Sequence, residues 1–362
     1  MDQPQQNYTQ EDIEDLHSYS TKFHDALFGE QIDEITIEDV LTSTTNEGRQ
    51  LIRGFYKKAY NKSIQDDINA KLKDKLRQLS IDMFDTPYEY DARELHKALN
   101  SLTNDDNVII EIFSSRPSGY LEIVDKAYSS FFNISLKEEI EKQCGGEFGE
   151  YLIALMEVAR PMEQTISGSE AYELGEELKN GGLETMGNNI EKFKQIFIEK
   201  SREDLILISR AYFERSKKNL YDAIETEVAG KNRRLLKAIL FAIITPAQYF
   251  AKKLSKVLHE QRDDDTIRRV LISRAEIDMY AIRDYYFMEM NNELRSEIPE
   301  DPRIPLRGRR SSCASLLKDA AWAAHPLPPS ASVSITTSTA GTSAPTSTIM
   351  TASTLDSRLI TV

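Results

Sequence analysis

The sequence predicts an all-α protein built from four copies of one helical unit. Three observations carry that expectation. Glycine and proline are few, at 15 and 12 of 362 residues, while long stretches are rich in Leu, Lys, Glu and Ala, residues that lose little side-chain freedom in a helix. Apolar residues recur at helical spacing, as in Leu16, Tyr19, Phe23 and Leu27. A polar loop is followed by a tyrosine in the pairs Asp33–Tyr56, Asp105–Tyr128, Asn189–Tyr212 and Asp263–Tyr286, and the separation within all four pairs is identical. Agreement in four places marks an internal repeat.

The stretch from Tyr249 to Asp278 is the most legible copy. It predicts a helix, a short polar loop at His259 to Asp264, a second helix through Ile267, Val270, Leu271 and Ile272, and a third beginning near Ala275. In the first copy the loop is Gly29 to Glu34, followed by Ile35, Ile37, Val40 and Leu41. Asp105-Asp106 holds the loop position in the second copy and Asn189-Ile190 in the third. The step from Tyr128 to Tyr212 is longer than the steps from Tyr56 to Tyr128 and from Tyr212 to Tyr286, so extra length falls between copies two and three. That segment, Pro161 to Gly182, contains Pro161, Gly168, Gly175, Gly181 and Gly182 and suits a linker crossing between two halves of two repeats each. The tyrosine series itself reads as packing rather than a cofactor box.

The expected division is an N-terminal arm at 1–15, repeat 1 at 16–86, repeat 2 at 87–160, a linker and repeat 3 at 161–246, repeat 4 at 247–304, and a tail at 305–362. From His325 to Thr354 the chain is dominated by Ser, Thr, Ala and Pro, which bury too little apolar area to offset the entropy of ordering, so a disordered tail is expected. At the junction Ser311 or Ser312 caps a short helix, Cys313 to Ala324, presenting Leu316, Leu317 and Trp322.

Charge restricts the function classes. The net charge is −14, yet residues 303–362 hold six Arg or Lys against two Asp, which leaves residues 1–302 at −18. So acidic a body is unsuited to nucleic-acid phosphates or anionic lipid unless a cation bridges. Cys144 and Cys313 are the only cysteines, which fits two inert thiols in a reducing, cytoplasmic compartment. The N-terminus has no basic start or apolar core of a signal peptide, and the longest apolar run, Ala238 to Ile244, is far too short to span a bilayer. The five histidines form no H-E-x-x-H pair, and no G-x-S-x-G, P-loop or dinucleotide-binding glycine pattern is present, so no enzyme is expected.

Three stretches carry a resemblance to a known family. The fourth copy reads DDDTIRRVLISRAEIDM, close to the annexin pattern D-D-x-T-L-I-R-[VI]-x-[VI]-S-R-x-E-I-D; the second copy has YDARELHKAL at Tyr90 to Leu99, and the third IEKFKQIFIEKS at Ile190 to Ser201. Over residues 16 to 304 the chain resembles the annexins. The resemblance implies an all-α fold of four repeats of about five helices, arranged as a curved disc. It also implies Ca²⁺ held by loop carbonyls and one later carboxylate, and calcium-dependent peripheral binding to anionic phospholipid membranes. The family's glycine loop reads G-x-G-T-[DE], and the carboxylate follows its last glycine by forty residues.

Adding forty to Gln31, Thr103, Gly187 and Gln261 gives Lys71, Gln143, Glu227 and Asp301. The first two offer a cation and a neutral amide, so no calcium is expected in repeats one and two. Repeat three keeps its loop at Leu183 to Gly187 and has Glu227-Val228-Ala229-Gly230 where the family has E-x-x-G. The resemblance implies carbonyls of Leu183, Thr185 and Gly187 with the Glu227 carboxylate as ligands, although Asn188 and Asn189 replace the family's Thr and acid. Repeat four keeps Asp301 but reads His259-Glu260-Gln261-Arg262 at the loop, which implies a weak or absent site. His259 has no second His or Cys at ligand spacing and reads as a surface histidine. Loss of three loops in four leaves open a second reading, a helical scaffold for cytoskeletal or other protein partners. A third is a calcium-free lipid contact through Arg307, Arg309 and Arg310. Pro302 and Pro305 stand where the family's last helix begins, so that helix is displaced or missing.

Overall fold

The computed structural model describes residues 8–102, 104–183 and 189–298, and among them every regular element is helical. The first repeat comprises α1 (Gln10–Phe28), α2 (Glu34–Thr42), α3 (Asn46–Tyr60), α4 (Ile64–Lys71) and α5 (Asp74–Phe84). The second comprises α6 (Pro87–Leu99), α7 (Asp106–Ser115), α8 (Ser118–Phe132), α9 (Leu136–Cys144) and α10 (Gly146–Glu157). In the third, α11 (Gly168–Glu177) runs into a kink, Leu178–Gly182, where Asn180 and Gly181 leave helical geometry. Further on, α12 (Ile190–Phe193) continues as a π-helical segment, Lys194–Ile198, followed by α13 (Arg202–Ser216), α14 (Leu220–Glu227) and α15 (Gly230–Ile244). The fourth has α16 (Pro246–His259), α17 (Asp264–Arg274), α18 (Met279–Met290) and α19 (Leu294–Glu297) among the described residues. Asp301, the tail and the helix expected at Cys313 to Ala324 lie outside them.

The repeat register has a local cause at each end. Asp33, Asp105, Asn189 and Asp263 are the N-caps of α2, α7, α12 and α17, and each side chain accepts from main-chain N–H groups of the first turn. Tyr56, Tyr128, Tyr212 and Tyr286 sit on the third helix of each repeat and are buried to 2 % exposure or less. Shortly after each tyrosine the third helix ends in the left-handed region, at Asn61, Asn133, Lys217 and Asn291. Asparagine tolerates that conformation. Lys217 adopts it at a cost of about 1 kcal/mol.

The helices group into two compact units. One contains the described parts of Met1–Lys97, Ile123–Asn133 and the chain from Phe250 onward, and so joins the first repeat to the fourth; the other contains those of Ala98–Glu122 and Ile134–Tyr249, and joins the second to the third. In the first unit α1 packs on α2 and α3, and α5 closes over α3 and α4. In the second, α11 lies along α13, and α15 lies against α7.

Three sequence expectations are corrected here. The polar arm at 1–15 ends earlier, because Thr9 and Asp12 form a reciprocal capping box that starts α1 at Gln10. The third helix of the fourth repeat starts at Met279 rather than near Ala275, after a turn in which Arg274 Nε and Nη2 hold the Asp278 carboxylate at 2.8 and 2.7 Å. The segment read as a linker is a fixed part of the second unit. Arg160 donates to the carbonyls of Lys200 and Phe197, and Asp204 takes up the main-chain N–H groups of Thr165 and Ile166. Gly175 is no hinge either: a Cβ there would lie 2.8 Å from Tyr212 N and 2.9 Å from Ala211 Cβ, so the glycine permits the close approach of α11 and α13.

Candidate functional site

In each repeat the loop before the second helix is the place where the sequence puts metal chemistry, and the side chains there differ. In the first repeat the loop closes through Asp33 N–H donating to Ala26 O at 3.0 Å. Lys71, the residue at the carboxylate position of this repeat, places its ammonium 4.4 Å from the ring centre of Phe28, at the mouth of this loop. A cation therefore already occupies the neighbourhood.

The second loop closes in the same way, Asp105 N–H donating to Ala98 O at 2.9 Å. Asn104 then spans to the expected partner: its Nδ2 donates to Gln143 O at 2.8 Å, so the two halves of a metal site meet here through an amide instead. Gln143 Nε2 turns away to Glu139 at 2.8 Å. In the fourth loop Arg262 Nε bonds the Asp264 carboxylate at 2.8 Å. His259 is held in the fold, its Nε2 being 3.0 Å from the Tyr286 hydroxyl. Asp301 lies outside the described residues.

The third repeat differs in kind. Leu183 is fully buried and anchors the start of its loop, just after Gly181 takes a φ of 95°. Thr185 and Gly187 lie outside the described residues. Asn189, which stands where the annexin pattern has an acid, caps α12 by accepting from Glu191 and Lys192 N–H. At the other half of the site α14 ends on Glu227, and Gly230 at φ 62° turns the chain into α15. The carboxylates of α14 have separate partners: Asp222 bonds Asn219, and Glu225 bonds Lys237 with Arg233 3.6 Å away. Glu227 is exposed and has no ion pair or hydrogen bond among the described residues. Its charge reaches the repeat tyrosine, since burial and then Glu227 raise the Tyr212 hydroxyl above its ordinary pKa.

Oxygen donors with uncompensated negative charge suit a hard cation such as calcium, and an ammonium or guanidinium at the same place does not. Of the described residues at these positions, Glu227 meets this test, whereas Lys71 and the Asn104–Gln143 bridge do not.

The sequence profile of the Annexin family matches residues 19–82, 90–155 and 176–239, more than half of the chain, each match within one repeat. The chain belongs to the annexin family. Mouse annexin A13 is 28 % identical over 285 residues, 77 % of this chain and 89 % of the relative. The structure of annexin III superposes with a TM-score of 0.76 at 25 % identity, over 88 % of this chain and 96 % of that one. A calcium-bound annexin (Sm)1 has the same fold, with a TM-score of 0.71 over 84 % and 90 % of the two chains at 23 % identity. Annexins are generally binding proteins that associate with phospholipid through calcium. No described helix of this annexin is long and apolar enough to cross a membrane.

Two features of this annexin had no clear signal in its sequence. Asn104 bridging to Gln143 requires the fold to bring the two together. The second ammonium beside Phe28, that of Lys62 at 6.0 Å, becomes visible only once α3 and α4 are folded back on α1. Cys144 is partly buried, and burial pushes its thiol up to about 11, which leaves it protonated and unreactive near neutral pH.

Proposed function

We propose that this annexin binds anionic phospholipid membranes peripherally and with calcium, through its third repeat. The Glu227 carboxylate, which has no ion pair or hydrogen bond among the described residues, carries the reading. Glu227 supplies the charge, the carbonyls of Leu183, Thr185 and Gly187 supply neutral oxygens, and Asp301 is the corresponding carboxylate of the fourth repeat. Calcium takes roughly six to eight oxygen ligands, and positions the protein leaves open are available to lipid phosphoryl oxygens.

Cosedimentation with phosphatidylserine vesicles tests this. The full chain is expected to pellet with vesicles in calcium and to be released by chelator, and Glu227→Gln to raise the calcium needed about tenfold or more, because one ligand charge is lost. Pelleting that responds neither to chelator nor to Glu227→Gln would rule the reading out.

A second reading, a scaffold for cytoskeletal or other protein partners with little calcium dependence, is favoured by the occupied loops of repeats one, two and four. It predicts no calcium heat at millimolar concentration and a protein partner retained in chelator.

A further inference from the structure

The outer side of α18 is apolar where the equivalent helices of the first two repeats are polar. Met279, Ile282 and Tyr286 bury one side of this helix. On the other, Tyr280, Phe287 and Met288, with Ile277 in the turn before it, are 41 %, 51 %, 76 % and 52 % exposed, and helical spacing sets them in one stripe around Asp284. In the register of the buried tyrosines the same positions are Glu47, Gln50, Gly54, Lys57 and Lys58 on α3, and Gly119, Glu122, Lys126, Ser129 and Ser130 on α8. A fifth helix is not what this stripe lacks: in the first repeat α5 packs on α3 and α4, yet Glu47, Gly54, Lys57 and Lys58 stay exposed. Large apolar side chains gathered on one side mark a contact surface.

Charge and chain length decide what covers it. Asp284 lies in the middle of the stripe and has no ion pair among the described residues. Two copies of this chain meeting stripe to stripe about a two-fold axis would bring their Asp284 carboxylates together, which opposes a symmetric dimer. An anionic surface is opposed as well, because Asp284, Glu289, Glu293 and Glu297 outnumber Arg283 and Arg295 from Met279 to Glu297. Residues 1–7 bring no large apolar side chain beyond Met1.

The chain after Ile298, outside the described residues, brings both properties the stripe calls for. Arg303, Arg307, Arg309 and Arg310 come first, with no acid among residues 303–312, and Leu316, Leu317, Ala320 and Ala324 then recur at the spacing of one helix face. Alanines beside two leucines let a helix approach the large side chains of α18 closely. Residues 299–312 reach at most about 45–50 Å when extended, against about 18 Å for the length of α18, so the segment meets the stripe at high effective concentration.

We propose that residues 313–324 dock as a helix on the outer stripe of α18, Leu316 and Leu317 seated against Tyr280, Phe287 and Met288, and the preceding arginines facing Asp284 and Glu293. The segment is then a cover of the fourth repeat made by its own chain.

Trp322 is the only tryptophan in the sequence, so its fluorescence reports on this segment alone. Its anisotropy is read on the full chain in chelator and without vesicles, which keeps the test apart from the third-repeat reading. A docked segment turns with the body, whereas a free terminus moves faster than the body tumbles. Slow depolarisation is expected for wild type. Phe287→Ser with Met288→Ser, and separately Leu316→Ser with Leu317→Ser, should each lower the steady-state anisotropy about twofold or more. Asp284→Arg should act in the same direction, and Lys57→Ser with Lys58→Ser, on the equivalent side of α3, should change nothing. Far-UV circular dichroism checks that each variant keeps its helical body. Fast depolarisation of Trp322 in wild type overturns the proposal, as does slow depolarisation that the α18 variants leave intact. Anisotropy that falls on dilution together with a dimer in sedimentation would assign the stripe to a second copy and overturn it too.

Discussion

Asp204→Ala is expected to destabilise the second unit by about 4 kcal/mol. Asp204 is fully buried at the third position of α13. Its carboxylate accepts from Ser201 N at 3.0 Å, Thr165 N at 2.9 Å, Ile166 N at 3.1 Å and Thr165 Oγ1 at 2.7 Å. Burial by itself raises this carboxyl, and these donors outweigh it and hold it below the ordinary value. Truncation strands two buried main-chain N–H groups, those of Ser201 and Ile166, each costing about 1–3 kcal/mol, and removes the part-buried bonds from Thr165 as well. Asn in its place keeps one oxygen but turns a donor toward donors, so it should cost nearly as much. The comparison is Glu170→Ala, whose capping box with Ser167 is exposed and should cost about 1 kcal/mol or less. Urea denaturation measures all three. A loss for Asp204→Ala no larger than that for Glu170→Ala would contradict the account.

The first unit should gain stability as pH falls from about 8 to about 5, by on the order of 3 kcal/mol. Asp82 and Asp85 are 2 % and 1 % exposed, with Arg268 Nε 3.0 Å from the first and Arg93 Nε 2.8 Å from the second. Burial outweighs these cations and raises the carboxyls to about 7 and about 6. A carboxyl whose folded pKa lies above its unfolded value binds its proton more tightly in the folded chain. Its contribution therefore grows as pH falls through the folded pKa and is complete near the unfolded value. Groups with lowered values act oppositely. Asp33, held low by Thr36, and Asp204 stabilise above about pH 4 and lose that contribution below it. A maximum near pH 5 follows. Asp82→Asn should flatten the limb between about pH 5 and 8, and an unchanged slope in melting temperature against pH would show that Asp82 is not its source.

The four-fold plan was legible because it is written in local chemistry. The Asx residue before each second helix is a cap, and the tyrosine at fixed spacing beyond it is a fully buried anchor. Lys71 and Gln143 were legible as residues that bring no negative charge to a hard cation; where they lie, beside Phe28 and Asn104, was not. The fixed path of residues 161–182 was not. Its glycines and proline look the same whether the chain is loose or is pinned by an aspartate far along the sequence, as Thr165 is by Asp204. The π-helical segment Lys194–Ile198 changes the hydrogen-bond step without a compositional mark. Pairing of repeats one with four was hidden for a similar reason: Arg268 and Asp82 meet from opposite ends of the repeat array, and each reads alone as a solvated charge.

A calcium soak read by anomalous diffraction tests most directly the claim that metal use has contracted to the third repeat. A peak is expected about 2.3–2.6 Å from a Glu227 carboxylate oxygen and none in the loops of repeats one and two. Calcium beside Lys71 or between Asn104 and Gln143, or no density at Glu227, would contradict it.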